Sequence, residues 1–347
     1  MKRLVAIAAL GACVATGVLL VHLRDLQGTT IVGPPYVHLY DWPANSLEKA
    51  LDLGDGQAFA AVARDPTLAH PDVFRRPGDA AYRFGRPLFG ELTWLATAGD
   101  GARVPLAMAV LCVVAAAFAA AAVATLLASR GAKPILAVLV PLLPGAIAAT
   151  RGLTPELLAL AFAGWAVVMW ERAQRATAVV VALGTAAVLT RETMVIVPLA
   201  LALCDARSGR ARRSVLIAGV PVAALAGWYT FVFARVGSWP FASSPPGTFG
   251  APFAGLVHQV PGWRNPVDVV AALVCVVLAV PALRTRGRDP LALVVLGSVL
   301  LAIVMGPQVW RRWDDFGRPL LPLCAFGLVL LAGLPGRARD RAPRRAT

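Results

Sequence analysis

Charged residues are scarce in this 347-residue chain. Asp, Glu, Lys and Arg together make up 15% of it, against roughly 25% in soluble globular domains. Hydrophobic residues make up 58%, and the mean hydropathy is +0.69. The shortage of charge argues against an ordinary soluble domain and places the chain among membrane proteins.

Closely spaced metal-binding or disulfide-forming residues are also missing. The five cysteines lie far apart, in or at the ends of apolar runs, and the four histidines show no ligand spacing. A disulfide framework or a zinc site is therefore not expected. Acidic residues are outnumbered by basic ones, 19 to 33. The arginines fall between apolar runs and form no stripe alternating with aromatics, so we expect no nucleic-acid partner but contact with membrane lipids, whose headgroups are anionic.

Apolar runs dominate what the chain does contain. Ten runs predict an all-α, polytopic transmembrane helical protein with about 10 membrane helices, the first at residues 1–22 and the others within residues 104–335. Met1-Lys2-Arg3 before the first run also fits a cleaved signal peptide, but the run is long and no small-x-small cleavage site follows it. We therefore expect an uncleaved span. Several later runs are short, because 14 residues rise only about 21 Å as a helix while the hydrocarbon core is about 30 Å thick.

The charge distribution predicts the topology of a single membrane domain, residues 1–347. Residues 23–103 form a long first extracytoplasmic loop with amphipathic or interfacial helices near 45–63 and 88–98, and residues 336–347 form a basic cytoplasmic tail. With a cytoplasmic N-terminus, 18 Lys and Arg lie inside and 7 outside, leaving out the long loop, as the positive-inside rule requires. This count needs residues 177–204 to form a hairpin that turns at 190–192. Both termini are then cytoplasmic in an inner (plasma) membrane protein.

Asp55 is a candidate for chemistry in the long loop. The glycines on either side of it allow a tight turn and leave the carboxylate accessible. Such a carboxylate suits a general base, or a ligand for a hard divalent cation such as Mg²⁺ or Mn²⁺ with Asp52 as a second ligand. Asp-Gly is also a common solvated turn. No cofactor is certain from the residues alone.

Arginines and carboxylates interrupt apolar sequence at two further places on the same predicted face. Arg83 and Arg86 offer planar guanidinium forks suited to phosphate oxygens, or anchor an interfacial helix. Glu91, in the apolar stretch after them, indicates a polar cavity or a partner such as Arg86. Arg191 and Glu192 break the predicted hairpin, and ionisable groups at membrane depth usually face a cavity or each other; a structural ion pair with another helix is the alternative.

A third cluster precedes the last apolar run. Arg318 follows Asp314 and Asp315, with further arginines at 311 and 312. The mixture suits a phosphosugar or a pyrophosphate, although an acidic residue before a helix is also a common cap.

The order of these motifs resembles the polytopic bacterial membrane proteins related to GT-C glycosyltransferases, including polyprenyl-phosphate-mannose-dependent mannosyltransferases. The motifs that carry the resemblance are Asp55-Gly56-Gln57 with Phe59, then residues 63–66, 82–88, 151–156, 189–193 and 314–322. The chain departs from many members in having no soluble C-terminal domain and no close acidic pair in the first loop.

The resemblance implies a GT-C-like fold and a membrane glycosyltransferase that moves a sugar from a polyprenyl-phosphate donor to an extracytoplasmic acceptor such as an envelope glycan, lipid or protein. Asp55 would be catalytic, and Arg86, Arg191 and Arg318 would bind the donor phosphate. The supporting residues would be Asp52, Gln57, Arg83, Glu91, Glu192, Asp314 and Asp315. Two alternatives stay open: a transporter or flippase of a lipid-linked or anionic substrate, and a non-catalytic membrane assembly protein, in which Asp55 and Arg318 would lie far apart. The oligomeric state is not predicted.

Overall fold

The computed structural model describes residues 1–26, 51, 55–74, 77–172, 176–285 and 289–339. This part of the chain is 79% helical and has no strand, which confirms the all-α class. Its helices, numbered in chain order, are α1 (Lys2–Leu26), α2 (Gly56–Arg64), α3 (Pro77–Phe84), α4 (Pro87–Thr97), α5 (Val104–Ser129), α6 (Pro144–Gly152), α7 (Glu156–Arg172), α8 (Thr177–Thr190), α9 (Ile196–Arg207), α10 (Ala211–Val236), α11 (Ala254–Gln259), α12 (Pro266–Leu283), α13 (Pro290–Val304), α14 (Trp313–Gly317) and α15 (Leu321–Arg339).

Fewer helices than predicted are long enough to cross a membrane. Four described segments are long and apolar enough: Lys2–His22, Gly101–Ser129, Ala211–Val236 and Pro266–Leu283. A fifth span arises only if the 3-10 helix Pro134–Leu142 and α6 count as one span bent by 52°. The predicted count of ten is therefore not confirmed. Hydropathy alone overlooked the backbone, since Pro141 and Pro144 lack the N–H groups that a straight helix needs.

Shorter apolar helices occupy several of the remaining predicted runs. They are Thr177–Thr190, Pro290–Val304 and Leu321–Gly333. The predicted hairpin at 190–192 is present, because α8 ends at Thr190 and the chain folds back. A Cβ built on Gly184 would lie 3.7 Å from Cβ of Pro198, whereas a continuous helix would separate the two residues by about 21 Å.

The core of the bundle is built on small side chains. Helix α5 packs against α1, α7 and the 3-10 helix Pro134–Leu142, and its buried face is a run of alanines that includes Ala116, Ala119 and Ala122. A Cβ at Gly164 on α7 would lie only 2.8 Å from Cβ of Ala122. Small residues let helix backbones approach closely where lipid provides no hydrophobic drive for association.

The first loop folds onto the end of the bundle. Helix α2 packs on α4, where Gly90 leaves space for Val62, and α4 occupies the short segment predicted at 88–98. Of the helix predicted at 45–63, the structure describes α2 and Leu51. Helix α3 packs on α10, and the indole N–H of Trp228 donates to the carbonyl of Phe84 at 2.5 Å. Helices α2 and α3 therefore share a hydrophobic cluster with the C-terminal half of α10.

Helix α14 is fixed to the same end of the bundle. The backbone N–H of Trp313 donates to Oδ1 of Asp268 on α12 at 2.8 Å. At the other end of α14, Gly317 packs so closely on Gly145 of α6 that a side chain at Gly145 would overlap the Gly317 carbonyl. Helix α6 in turn packs on α2, since a Cβ at Gly56 would lie 2.5 Å from the Gly152 carbonyl oxygen. The residues that flank α2 and α14 are thereby brought together.

Candidate functional site

Charged side chains from four separate segments line one cavity. The cavity encloses about 890 Å³ of space, part of it open to solvent. The charged residues that line it are Asp55, Arg83, Arg86, Arg191, Glu192, Asp315 and Arg318. The proposed catalytic residue and the three proposed phosphate-binding arginines therefore all lie at one site.

Asp55 lies between two arginines. Its Oδ1 accepts from Nη2 of Arg83 at 2.8 Å, and its Oδ2 accepts from Nη1 of Arg318 at 2.6 Å. The side chain of Asp55 is 21% exposed, and that of Arg318 is 18% exposed. We call this three-residue arrangement the Asp55 clamp. It joins residues 263 positions apart in sequence, so it fastens the first loop to α14.

The clamp makes the Asp55 carboxylate a weak base. Burial acts to raise its pKa, but the charges and hydrogen bonds of Arg83 and Arg318 outweigh burial and hold the pKa well below its usual range. A carboxylate stabilised in this way accepts a proton poorly. Asp55 is therefore arranged as an ion-pair partner and not as a base ready to act.

Arg86 is held by Glu192 and Tyr82. Its Nε and Nη2 each donate to a carboxylate oxygen of Glu192 at 2.6 Å, and Nη2 also donates to the hydroxyl of Tyr82 at 2.8 Å. Burial acts to raise the pKa of Glu192, but the charges of Arg86 and Arg191, with the hydrogen bonds from Arg86, together lower that pKa to about 2. The partner of Arg86 is thus Glu192 and not Glu91, which corrects the pairing expected from sequence; burial raises the pKa of Glu91, which does not line the cavity.

Arg191 pairs with a carboxylate beneath the cavity. Its Nη1 lies 2.8 Å from Oε1 of Glu156, the first residue of α7, and the side chain of Glu156 is fully buried. Arg191 and Glu192 therefore pair with different helices and not with each other. Burying an ion pair is unfavourable unless its geometry is good, so Glu156 fixes where the Arg191 side chain can point.

Arg318 is also anchored within its own segment. Its Nε donates to the carbonyl of Asp314 at 2.9 Å, and its Nη2 lies 3.5 Å from Oδ1 of Asp315. Burial raises the pKa of Asp315 to about 6; Arg318 opposes the rise and the neighbouring carboxylate of Asp314 adds to it. Arg318 therefore keeps a backbone partner even where its carboxylate partners change.

A loop between α10 and α11 covers part of the cavity. Its residues Ser244, Pro245, Thr248 and Phe249 line the space. Backbone hydrogen bonds tie this loop to the end of α13, among them Gly306 N–H to the Thr248 carbonyl at 2.8 Å. The cavity wall opposite the arginines is therefore built largely from backbone, hydroxyl and apolar groups.

Three of the predicted supporting residues do not line the cavity. Gln57 is buried in α2, Glu91 lies on α4, and the Asp314 carboxylate pairs with Arg312 at 2.8 Å. Asp52 lies outside the described residues. Sequence reasoning missed Tyr82 and Glu156 as parts of the site. The four-residue spacing of Tyr82 and Arg86 in the sequence was the available signal for Tyr82, although the helix ends at Phe84 between them. Glu156 looked only like a helix start.

The carboxylates of the cavity do not fit a divalent cation. Both oxygens of Asp55 face guanidinium groups, whose positive charge would repel a metal ion there. Within residues 1–26, 51, 55–74, 77–172, 176–285 and 289–339, no group of three or more His, Cys, Asp or Glu side chains is placed to hold a metal. No step is therefore assigned to a metal.

No family model, curated protein or solved structure matches this chain. Its function is therefore inferred from the cavity and its residues.

Proposed function

We propose that the protein is a membrane glycosyltransferase that moves a sugar from a polyprenyl-phosphate donor to an extracytoplasmic acceptor. The observation that carries this proposal is the cavity, where four arginines and three carboxylates from four segments meet. Guanidinium groups recognise phosphate oxygens, and a nearby carboxylate can act on an acceptor hydroxyl. The apolar helices suit a substrate that arrives in the membrane.

The proposed reaction is an inverting displacement at the anomeric carbon of the donor sugar. The acceptor hydroxyl oxygen forms a bond to that carbon, and the bond from the carbon to the phosphate oxygen breaks. The hydroxyl proton passes to the Asp55 carboxylate, and polyprenyl phosphate leaves with one additional negative charge. That charge grows on the phosphate in the transition state, where arginines stabilise it. Among the predicted phosphate ligands, Arg318 is best placed, because it touches Asp55 directly.

The alternatives have less support. A transporter needs polar groups along a path through the bundle, whereas the charged residues that line the described cavity come from loops, short helices and helix ends. The proposed assembly protein would have Asp55 and Arg318 far apart, whereas their side chains are 2.6 Å apart. We place the protein in the inner membrane with both termini cytoplasmic on the strength of its charge distribution.

The proposal is tested by supplying a radiolabelled polyprenyl-phosphate sugar to membranes that contain the protein. Donor-dependent transfer to endogenous acceptors, with release of polyprenyl phosphate, is expected. Asp55→Asn should reduce the rate by at least about 100-fold, within the range of general-base contributions. Glu171→Gln is the matched control, because the side chain of Glu171 is also 21% exposed and pairs with an arginine, but outside the cavity. Unchanged transfer in the Asp55→Asn membranes would remove Asp55 from the mechanism, and no transfer from any such donor would refute the proposed function.

A further inference from the structure

The Asp55 clamp has the geometry of an anion site that is already filled. The two carboxylate oxygens of Asp55 face two different guanidinium groups, at 2.8 Å from Arg83 and 2.6 Å from Arg318. A phosphate group likewise presents two or more oxygens on one atom, and guanidinium forks bind both kinds of anion. The carboxylate of Asp55 therefore occupies the position in which a phosphate would bridge the same two arginines.

The other two arginines of the cavity each pair with a different carboxylate. Arg86 uses two nitrogens on Glu192 and shares one of them with Tyr82. Arg191 points one nitrogen at Glu156, which is fully buried and cannot move into solvent. Only the pair Arg83 and Arg318 shares a single small partner that itself lines the cavity.

Local structure allows that partner to leave. Asp55 precedes α2 at the N-cap position, but its side chain makes no capping hydrogen bond to the helix. The backbone at Gly56 is fixed against Gly152, so the carboxylate can move by side-chain rotation alone. Arg318 stays in place because its Nε remains bonded to the Asp314 carbonyl.

We propose that a phosphate group binds between Arg83 and Arg318 by displacing the carboxylate of Asp55, so that Asp55 closes the empty site and is released when the phosphate arrives. The inference rests on the proposed function for the molecule that carries the phosphate. Released Asp55 would lose the two charges that lower its pKa while staying partly buried, and it would become a stronger base. The acceptor would then be activated only after the donor phosphate is in place.

The test measures phosphate binding and not transfer. Purified full-length protein in detergent is titrated by calorimetry with inorganic phosphate and, separately, with a short-chain prenyl monophosphate. Asp55→Asn removes the competing anion and should tighten binding of both probes by at least about tenfold, as for loss of one charge-assisted hydrogen bond. Arg318→Gln should weaken binding by a similar factor. Glu171→Gln is the control, because Glu171 pairs with Arg130 outside the cavity. It should leave the affinities for both probes at the wild-type value.

A second comparison applies where Asp55→Asn alone does not fold. The double variant Asp55→Asn with Arg318→Gln removes one charge of each sign and is compared with Arg318→Gln. Arg83 is then the remaining arginine of the clamp, and loss of Asp55 should still tighten phosphate binding. Affinity that is unchanged or weaker on loss of Asp55, in the wild-type background or in this one, overturns the proposal.

The two probes separate the sources of phosphate. A lipid-borne phosphate predicts that the prenyl monophosphate binds at least about tenfold more tightly than inorganic phosphate, through burial of its chain. Equal affinities overturn the lipid source. Phosphate binding is also measured independently of sugar transfer. If Asp55→Asn tightens phosphate binding but the protein transfers no sugar, the glycosyltransferase function is refuted. If the protein transfers sugar but Asp55→Asn does not tighten phosphate binding, only the displacement of Asp55 by phosphate is refuted.

Discussion

Two arginines of this protein each contact two carboxylates, but they do so in different surroundings. Arg318 lies 2.6 Å from Asp55 and 3.5 Å from Asp315 at the cavity. Arg130 lies 2.7 Å from Glu171 and 3.2 Å from Asp289. Glu171 is near the last residue of α7, whose first residue, Glu156, pairs with Arg191. Glu156 and Glu171 are therefore about 22 Å apart along that helix.

The difference between the clusters lies in what the charges face. None of the residues around Arg130 lines the cavity, and the nearby pairs of Asp205 with Arg210 and Arg213 join the adjacent helices α9 and α10 around a fully buried carboxylate. At the cavity, by contrast, the same chemical pairing leaves one side open. Ion pairs alone therefore do not identify a functional site. Pairs that converge on open space do, because only there can a ligand exchange with a partner.

The comparison between Arg318 and Arg130 is tested most directly by removing each charge. Arg318→Gln should reduce sugar transfer by about 100-fold or more, the usual effect of losing one donor to transition-state charge. Arg130→Gln should retain wild-type transfer per folded molecule, although it lowers the yield or stability of the protein. Both rates are measured in the labelled-donor assay. Each rate is normalised to the amount of folded protein, which size-exclusion chromatography determines. Equal losses of transfer would mean that the two clusters do not differ as proposed.

The second comparison is between Glu192 and Glu171. Glu192→Gln breaks a two-nitrogen ion pair and leaves Arg86, 4% exposed, with Tyr82 as its remaining described partner in the cavity. We expect the free energy of unfolding to fall by about 3 kcal/mol, as for other buried arginines that lose a carboxylate. Glu171→Gln should cost less, about 1 kcal/mol, because Arg130 keeps a second carboxylate partner in Asp289. Thermal unfolding in detergent gives the order of the two variants, and a larger loss for Glu171→Gln would contradict it.

The third comparison uses two glycines in helices. Gly145→Ala should overlap the Gly317 carbonyl, move α14 and with it Arg318. Overpacking of this kind typically costs about 1–3 kcal/mol, and phosphate affinity should fall along with stability. Gly17→Ala in α1 is the control, because a Cβ there meets nothing within 4 Å. Loss of stability in Gly17→Ala, or unchanged phosphate affinity in Gly145→Ala, would show that the Gly145–Gly317 contact does not position the site.

The sequence predicted where charges would be unusual better than it predicted how they pair. The charge count required a chain reversal at Arg191 and Glu192, and the structure has one there. Their partners, Glu156 and Arg86, lie 35 and 106 residues away, and no local pattern encodes such distances. Asp55 and Arg318 are likewise 263 residues apart. The charge count predicted that the polar clusters lie on one face of the membrane, but it could not predict that Asp55 pairs with Arg83 and Arg318.

The predicted number of membrane helices is not confirmed for a related reason. Hydropathy records how apolar a run is and not whether its backbone continues. Pro141 and Pro144 divide one run into a 3-10 helix and α6, bent by 52°. The same bend places Gly145 against Gly317, so it also helps to build the site.

The smallest expected effect separates two carboxylates within the cavity by pH. Burial raises the pKa of Asp315 to about 6, whereas Arg86 and Arg191 lower that of Glu192 to about 2. Between pH 4 and 6, folded Asp315 holds a proton that the unfolded chain releases, so its contribution to the free energy of unfolding falls as pH rises through this range. Glu192 behaves in the opposite way, and its contribution is lost as pH falls from 4.5 towards 2. Asp315→Asn should abolish the dependence that comes from Asp315.

The melting temperatures of wild type and variant, measured at pH 4, 5, 6 and 7, should therefore differ most in favour of wild type at pH 4. The change across the range should be about 1 kcal/mol, since the carboxylate is 30% exposed and partly screened. A constant difference would mean that Asp315 titrates below pH 4, as an exposed carboxylate does.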